Sequence, residues 1–427
     1  MGSFSSPLSG LTAAQQQLQS VSNNLANINT DGYKDQTLSF SDVFSQAGSL
    51  NGSGDPVQTG SGVAVASSDT NFTEGTVSST GTASNMAISG NGFFVTQDAK
   101  GLQDYTRSGD FTTNNSGQIV TPNGELLLGY PAVNGVVNTS AALQPLLVGN
   151  VTSPAVASTT MQITANLDAD ATVGTTASSS LPVYDSLGTA HTLSVTYTMT
   201  APNTWSYNVS IPSADLTPAG TGTSTTVGSG TLNFNSSGTL VSSQATGAAT
   251  TTAPSAGIAL SIPPTGTTLA DGAATMALNW NLDTAGSPTI TQTSMASATS
   301  ATSTNGFASG TLSSYTVQPD GTIEGTFSSG ATRAMGQVAV ASFANYEGLV
   351  ATGNNDYQPT NASGAAVIGL ANTGGRGSIV GGSVEESNVD IAGEFAKLIV
   401  AQQAYSANAK AITTFNQVSQ ATIAMLQ

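Results

Sequence analysis

Helical apolar repeats occur only at the two ends of this 427-residue chain, and that restriction limits what it can fold into. From Leu11 to Ile28 apolar residues recur at alternating steps of three and four, which is the seam of a coiled coil. A second stripe runs from Ile391 to Leu426. We therefore predict that helices from opposite ends of the chain pair. The predicted interface residues are Leu11, Leu18, Val21, Leu25 and Ile28 on the first helix, and Ile391, Phe395, Leu398, Tyr405, Ile412 and Phe415 on the second.

Local signals indicate where both helices begin and end. Ser9 is a candidate N-cap of the first helix, because its hydroxyl can accept a hydrogen bond from a free backbone N–H. Gly32 follows the last repeat and can adopt the left-handed conformation that ends many helices. Asp390 can cap the second helix, and Glu394 suits the positive end of its dipole.

The long middle of the chain, from residue 63 to residue 370, carries signals for β-structure. Asn123-Gly124 and Asp320-Gly321 each lie between two strand-like runs, which is a strong short-range signal for a β-hairpin. Residues 46–62 are rich in Gly, Ser and Asn and indicate a linker. The predicted fold class is mainly β with α-helical termini.

Composition excludes several classes of function. Only 7% of the residues are charged, and the formal net charge is −17. The seven basic residues are scattered, so we expect neither nucleic-acid binding nor binding to an anionic membrane. The chain lacks an apolar run of about 18 residues, so we expect no membrane insertion. Without cysteine it has no disulfide, no thiolate metal site and no Cys nucleophile.

Three local motifs have both a functional and a structural interpretation. His191, the only histidine, would need a nucleophile and an orienting acid to act as a base, so a structural role is favoured. Residues 90–92 lack the third glycine and the lysine of a phosphate loop and predict a tight turn. Asp168 and Asp170 lack the glycine and closing glutamate of a calcium loop and predict a solvated turn. We therefore predict no catalytic residue, no cofactor and no metal.

Two terminal segments carry a family resemblance. Residues 23–34, with the sequence NNLANINTDGYK, closely resemble the N-terminal signature of the bacterial flagellar axial proteins, the rod and hook family. Residues 387–395 and the helix that follows them resemble the family's C-terminal signature. Two matching ends in the right order are a specific signal. The motif residues of the first segment are Asn24, Asn27, Thr30, Gly32 and Tyr33.

Interior segments resemble the hook branch of this family. Residues 87–95 and 105–111 resemble a segment shared by distal rod and hook proteins. Residues 40–44, after the first helix, and residues 336–345 resemble the corresponding segments of hook proteins. Residues 181–188 resemble the outer domain that hooks carry. The resemblance implies a non-enzymatic structural subunit of the bacterial flagellar hook, which polymerises into a curved, flexible tube and transmits motor torque from rod to filament. The alternatives are a distal-rod or hook-associated axial subunit and, from another class, a secreted β-rich adhesin.

The resemblance also implies nested domains. The inner domain and the middle domain would each be built from one segment of the first half of the chain and one segment of the second half. They are a helical inner domain at 1–33 and 387–427, a linker or extended segment at 34–70, a discontinuous middle β-domain at 71–146 and 310–386, and an inserted outer β-domain at 147–309.

The family further implies partners and a location. The implied partners are other copies of the chain in a helical homopolymer, rod and hook–filament junction proteins, a hook cap and the flagellar export apparatus. The implied location is extracellular, in the hook, reached by export without a cleaved signal. Residues 1–7 agree with this expectation, because they have neither the basic nor the apolar region of a secretory signal peptide.

Overall fold

Helices lie at the two ends of the chain, and β-strands dominate the part between them. The computed structural model describes residues 5–43, 46–50, 56–220 and 222–425. Helix α1 spans Ser5–Ala26 and helix α2 spans Ile391–Met425. The prediction of a mainly β chain with helical termini is confirmed. Leu426, the last predicted residue of the C-terminal stripe, lies outside the described residues.

Helix α1 begins earlier than its apolar repeat indicates. Ser9, predicted as the N-cap, lies inside the helix, and its hydroxyl donates to the Ser6 carbonyl at 2.8 Å. Pro7 does not prevent this earlier start, because a proline in the first turn removes an N–H that has no partner within the helix. The prediction of Ser9 as a cap was therefore wrong. Asp390 does cap α2, since its Oδ1 accepts the Ala392 N–H at 3.1 Å.

The segment after α1 is paired rather than a plain linker. It contains β1 (Gln36–Asp42), β2 (Gln46–Leu50), β3 (Pro56–Thr59) and β4 (Val63–Thr70). β1 pairs with β4 and β2 with β3, both antiparallel. Backbone pairing needs no apolar side chains, so a stretch rich in Gly, Ser and Asn can still form a ladder. Composition alone therefore gave the wrong prediction for residues 46–62.

The chain divides into two compact units. Unit 1 comprises Met1–Asn150, Ser314–Gly325 and Arg333–Gln427, and unit 2 comprises Val151–Ser313 and Thr326–Thr332. The first part of unit 1 continues with β5 (Val77–Ser79), β6 (Met86–Ser89), β7 (Phe93–Gln97), β8 (Gln103–Thr106), β9 (Thr112–Thr113), β10 (Ile119–Val120), β11 (Leu126–Val133), β12 (Val136–Val137) and β13 (Gln144–Pro145).

Unit 2 is an all-β insertion with two five-stranded sheets. Its strands, the last of which continues into unit 1, are β14 (Thr152–Ser153), β15 (Thr160–Asp168), β16 (Thr176–Tyr184), β17 (Ala190–Ala201), β18 (Thr204–Pro212), β19 (Leu216–Thr217), β20 (Ser224–Phe234), β21 (Leu240–Ala245), β22 (Ile258–Ile262), β23 (Thr268–Leu269), β24 (Met276–Asn281), β25 (Asp283–Thr284), β26 (Ser287–Pro288), β27 (Ile290–Thr293), β28 (Ala298–Thr304) and β29 (Gly310–Val317). One sheet is the antiparallel sheet β16–β17–β18–β20–β21. In the other, β15 pairs with β24, β27 and β28, and β22 pairs with β24.

Aromatic side chains form the centre of the unit 2 core. Trp205 and Trp280 are completely buried, and Tyr207 meets Trp280 edge-on with ring centroids 5.5 Å apart. Alternate residues of the strands, such as Leu193 and Val195 of β17, face the same core. The unit therefore has a hydrophobic core of its own.

The returning chain completes the sheet of unit 1. β31 (Thr332–Ser342) pairs with β11, β7 and β34 (Val367–Leu370), and β33 (Asp356–Gln358) pairs with β8. The block β11–β7–β8 from the first half of the chain therefore lies between strands of the second half. β36 pairs with β5 immediately before α2 begins. Division into inner, middle and outer layers stays a prediction. The returning strands are β30 (Thr322–Phe327), β31 (Thr332–Ser342), β32 (Val350–Gly353), β33 (Asp356–Gln358), β34 (Val367–Leu370), β35 (Ser378–Gly381) and β36 (Ser383–Glu385).

Candidate assembly surface

Small side chains form the seam between α1 and α2. Ala14 and Val21 are buried on α1, and Ala401 is completely buried on α2. At Gly10 a Cβ would lie 2.9 Å from the Asn408 side chain, which leaves no room for any larger residue without a shift. The two helices therefore approach closely and pair through only a narrow strip of each surface.

Asn24 ties the end of α1 to α2 and to the first strand. Its buried side chain donates from Nδ2 to the Gln36 carbonyl at 2.9 Å and to Glu394 Oε2 at 3.2 Å. Its Oδ1 accepts the Gln36 N–H at 3.0 Å and the Tyr33 hydroxyl at 3.1 Å. A buried amide with donors and acceptors satisfied fixes one arrangement of its neighbours. This motif residue therefore orients the chain as it leaves the helix.

The rest of the N-terminal motif closes the helix end. Thr30 donates to Asn27 Oδ1 at 3.2 Å. Gly32 has φ +72°, and its N–H bonds the Glu385 carbonyl at 2.7 Å. A Cβ there would lie 2.5 Å from the Ser108 nitrogen, so both the backbone conformation and the contact require glycine. The predicted left-handed residue is thus confirmed.

Most of the predicted interface residues of α1 are only half-buried. Val21 is 3% exposed and lies in the seam with α2. The others keep part of their surface in solvent. They are Leu11, Leu18 and Leu25, together with Ile28 in the turn that follows the helix.

The predicted stripe of α2 divides into two groups. Leu398 and Ile412 are half-buried, whereas the larger group lies exposed on the helix surface. Further exposed apolar residues, Ile399 and Val400 among them, are distributed around the helix. Among the described residues, no helix combines the length and apolar content that a membrane span requires. The exposed members of the predicted stripe are Ile391 at 51%, Phe395 at 48%, Tyr405 at 39% and Phe415 at 39%.

α2 also extends past the described start of α1. Asn24 lies against Glu394 and Gly10 against Asn408, so the helices are antiparallel. α2 has 35 residues and α1 has 22. At 1.5 Å per residue the difference of 13 residues is roughly 20 Å of helix. These last turns are exposed and carry large apolar side chains among polar ones, with Met425 at 85%.

A buried ion triad lies beneath the helix pair. The Lys34 ammonium is 2.5 Å from Glu385 Oε1, and Arg107 Nε is 3.0 Å from Glu385 Oε2. The Arg107 contact is ionic and lacks hydrogen-bond alignment, whereas the Gly75 N–H donates to Oε1 at 2.9 Å. Burial lowers the pKa of the Lys34 ammonium, and the Glu385 carboxylate opposes that shift. Glu385, which lies just before α2, therefore links this part of the chain to Lys34 after α1 and to Arg107 after β8.

Sequence reasoning missed these triad residues and the small residues of the seam. Lys34 and Glu385 are 351 positions apart, so no local pattern connects them. Ala401 carries little apolar weight in a periodic stripe, although it lies at the centre of the seam. The presence of Lys34 and Arg107 among only seven basic residues was the one usable signal.

A cluster of three carboxylates lies in the sheet of unit 1. Asp356 on β33 is 4% exposed, and it lies close to Glu125 and Asp104. Burial, followed by the charges of Glu125 and Asp104, raises the pKa of Asp356 to about 7. The neighbouring Asn355 donates from Nδ2 to the Asp31 carbonyl at 3.0 Å, which links this strand to the chain after α1.

We expect Asp356→Asn to stabilise unit 1 above pH 7. A carboxyl whose folded pKa exceeds its unfolded pKa holds its proton longer in the folded state, so stability falls as pH rises from about 4 through 7. Asparagine removes that penalty, on the order of 2 to 4 kcal/mol at pH 8.5. Thermal unfolding followed by far-ultraviolet circular dichroism measures it. If the original chain and Asp356→Asn lose the same stability between pH 6 and 8.5, the pKa of Asp356 is not raised.

Comparison with known families covers most of the chain. Residues 7–34 match the model described as flagella basal body rod protein, and residues 87–172 match the flagellar hook protein FlgE/F/G D1 domain. Residues 150–307 match the flagellar basal body protein FlaE D2 domain, and residues 380–425 match the flagellar basal body rod FlgEFG protein C-terminal model. A β-rich chain whose two ends meet as helices, with these four matches in order, defines the rod-and-hook class of flagellar proteins.

Relatives narrow the class. The chain is 35% identical to the flagellar hook protein FlgE of Salmonella typhimurium over 97% of this chain and 98% of that protein, and 34% identical to that of Escherichia coli over the same shares. The crystal structure of Helicobacter pylori flagellar hook protein FlgE2 shares the fold, with a TM-score of 0.50 at 14% identity over 71% of this chain and 98% of that one. The chain belongs to the flagellar hook protein FlgE family.

Proposed function

We propose that this chain is the structural subunit of the bacterial flagellar hook, which polymerises into a curved, flexible tube and transmits torque from the rod to the filament. The exposed apolar surface of α2 carries the proposal of polymerisation. Large apolar residues lie exposed around α2, and α1 covers only one strip of this helix. Apolar helix surface of this kind is normally buried against a partner. Other copies of the chain supply the remaining cover.

The predicted interface residues have two roles in this proposal. Val21 and the small residues of the seam hold α1 and α2 of one subunit together. The exposed group of α2, Phe395 and Tyr405 among them, contacts neighbouring subunits. The half-buried residues, such as Leu18 and Leu398, complete contacts of both kinds. The α1–α2 pair thereby forms the inner layer of the tube.

The β-structure forms the outer wall in this proposal. The sheet of unit 1 is the middle β-domain that the family resemblance implies, and unit 2 is the outer β-domain. The low charge of the chain, 7% of residues, supports a bending tube, because contacts without fixed ion pairs can slide as subunit spacing changes.

Partners and location follow from membership of the family. Rod and hook–filament junction proteins would contact the two ends of the tube, a hook cap would assist its growth, and the flagellar export apparatus would deliver subunits without a cleaved signal. The inserted unit 2 favours a hook subunit over a distal-rod or hook-associated subunit. The adhesin alternative does not account for two paired terminal helices. The family is one of structural proteins, and we propose no enzymatic activity.

Electron microscopy of the purified chain under polymerising conditions tests this function. We expect tubes from the full chain and none from a chain that lacks residues 1–33 and 387–427. Tryptophan fluorescence of the truncated chain would verify that unit 2 is still folded, because both tryptophans lie there. Full-length chains that remain monomeric, or truncated chains that form tubes, would contradict the proposal.

A further inference from the structure

Unit 2 contains no lysine and no arginine. The single histidine of the unit, His191, is therefore its one side chain that can become positively charged near neutral pH. Three of the six aspartates of the unit lie around this histidine. If the six aspartates were placed without regard to the histidine, three of them would not be expected to lie around it. The six are Asp168, Asp170, Asp185, Asp215, Asp271 and Asp283.

The three aspartates come from three separate segments. Asp185 lies in the turn between β16 and β17, Asp215 in the short 3₁₀ turn after β18, and Asp271 in the turn after β23. His191 Nδ1 is 3.0 Å from Asp215 Oδ2. His191 Nε2 is 3.2 Å from Asp185 Oδ2 and 3.9 Å from Asp271 Oδ2. Thus one imidazole faces three carboxylates, and two of them share the same ring nitrogen.

Each of the two carboxylates at Nε2 has one oxygen held by its own turn. Asp185 Oδ1 accepts the N–H groups of Leu187 at 2.8 Å and Thr189 at 2.9 Å. Asp271 Oδ1 accepts the N–H of Ala273 at 3.0 Å. The second oxygen of each, Oδ2, is therefore directed to the common point beside His191.

The proton count leaves that point without a sufficient donor. A neutral imidazole has one N–H, and the Asp215 carboxylate is positioned to accept it from Nδ1. Nε2 then presents a lone pair toward two carboxylate oxygens, an arrangement that repels unless a proton or a metal ion lies between them. In unit 1 the buried carboxylate Glu385 has two cations beside it, Lys34 and Arg107. Here Asp185 is completely buried, and its partner is the His191 ring, 3.2 Å from Oδ2.

We propose that Asp185 Oδ2, His191 Nε2 and Asp271 Oδ2 bind a divalent transition metal of the zinc type. The Asp215–His191 contact is the carboxylate–histidine arrangement that fixes the tautomer and orientation of a metal-binding imidazole. A nitrogen ligand favours zinc-type ions over calcium and magnesium, which prefer oxygen ligands alone.

The spacing of the donor atoms fits this ion. Metal–ligand bonds of about 2.0 to 2.2 Å place the ligand atoms of a tetrahedral site roughly 3.3 to 3.5 Å apart. The two nitrogen–oxygen distances are 3.2 and 3.9 Å, and the three donor atoms lie within 4.8 Å of one another. Asp271 reaches solvent, so the ion has a path of entry and water can fill the fourth position. The metal would link two turns and strand β17 in a unit that has no disulfide to do so.

Zinc titration of the full-length, chelator-treated monomer tests the site. We expect one zinc ion per chain by calorimetry, a higher unfolding temperature by tryptophan fluorescence, and the intense visible absorption of a tetrahedral site when cobalt replaces zinc. Asp271→Asn, at a solvent-exposed turn, should weaken zinc binding without unfolding the unit, and His191→Gln should abolish it. Asp215→Asn should weaken it about 10- to 100-fold through loss of imidazole orientation.

Asp283→Asn is the matched control. Asp283 also lies in a turn of unit 2, where its Oδ1 accepts the Gly286 N–H at 2.9 Å, but it lies outside the cluster. Its zinc affinity should equal that of the original chain. Undiminished binding by His191→Gln or Asp271→Asn would overturn the proposal. The absence of zinc binding to the original chain would overturn it too. A pH-dependent stability of unit 2 would then identify a protonated His191 imidazole as the cation beside these carboxylates.

Discussion

Replacing Glu385 with glutamine is expected to lower the free energy of unfolding of unit 1 by about 3 to 5 kcal/mol. The side chains of Lys34 and Glu385 are completely buried, and that of Arg107 is 4% exposed. Glutamine keeps the shape of the side chain but removes the one negative charge between two buried cations. The cost of leaving buried charges unpaired exceeds the net benefit of the original pair.

Lys34→Met is the matched control for this charge argument. The triad carries two positive charges and one negative charge, so removing Lys34 leaves a balanced pair of Arg107 and Glu385. Methionine fills much of the space of the lysine stem. We therefore expect a much smaller loss of stability from Lys34→Met than from Glu385→Gln. Equal losses would show that packing, rather than charge, is what these residues contribute.

The chain carries its own probes for this measurement. Trp205 and Trp280 both lie in unit 2, whereas α1 and α2 lie in unit 1. In urea unfolding of Glu385→Gln, the midpoint of the helical circular dichroism signal should fall by about 1 M or more. The midpoint of tryptophan fluorescence should stay unchanged. A shift of both signals together would contradict a local role for the triad in unit 1.

Short-range signals explain what could be predicted from the sequence. Gly32 and Asp390 act within a few residues of the helix ends they control, so their roles could be inferred from the local pattern. The triad could not be predicted, because Lys34 and Glu385 meet only through the whole fold. The same holds for His191, whose three aspartates come from separate turns. The structural role favoured for His191 from the sequence stays a prediction.

The seam of α2 shows a second limit of periodicity. Apolar spacing predicted a stripe through Phe395 and Tyr405, but these residues are exposed. The strip that meets α1 is centred instead on Ala401, because close helix approach requires small residues. A repeat shows that a surface must be covered, and it does not show which partner covers it. The large residues that α1 leaves exposed are therefore the ones to test for contacts between subunits.

Phe395→Glu is expected to abolish polymerisation and leave the monomer intact. Phe395 is 48% exposed in the single chain, so its replacement should change monomer stability by no more than about 0.5 kcal/mol. In the polymer, each subunit would lose about half of the 1.5 to 3 kcal/mol that full burial of such a side chain contributes, and it would also bury a carboxylate without a partner. Since 1.4 kcal/mol corresponds to a tenfold change in an equilibrium constant, the critical concentration should rise at least tenfold.

Gln402→Glu separates this effect from that of added charge. Gln402 is exposed on the same helix, and its replacement adds the same single negative charge to a chain of net charge −17. Gln402 follows Phe395 by seven residues and lies on the same helix face, so this variant adds the charge there and keeps the apolar contact. We expect its critical concentration, measured by sedimentation and electron microscopy, to rise less than that of Phe395→Glu. Loss of tubes in both variants would attribute the effect to charge repulsion. Tubes from Phe395→Glu at the original concentration would remove this face of α2 from the contacts between subunits, and would leave α2 exposed in the assembled tube.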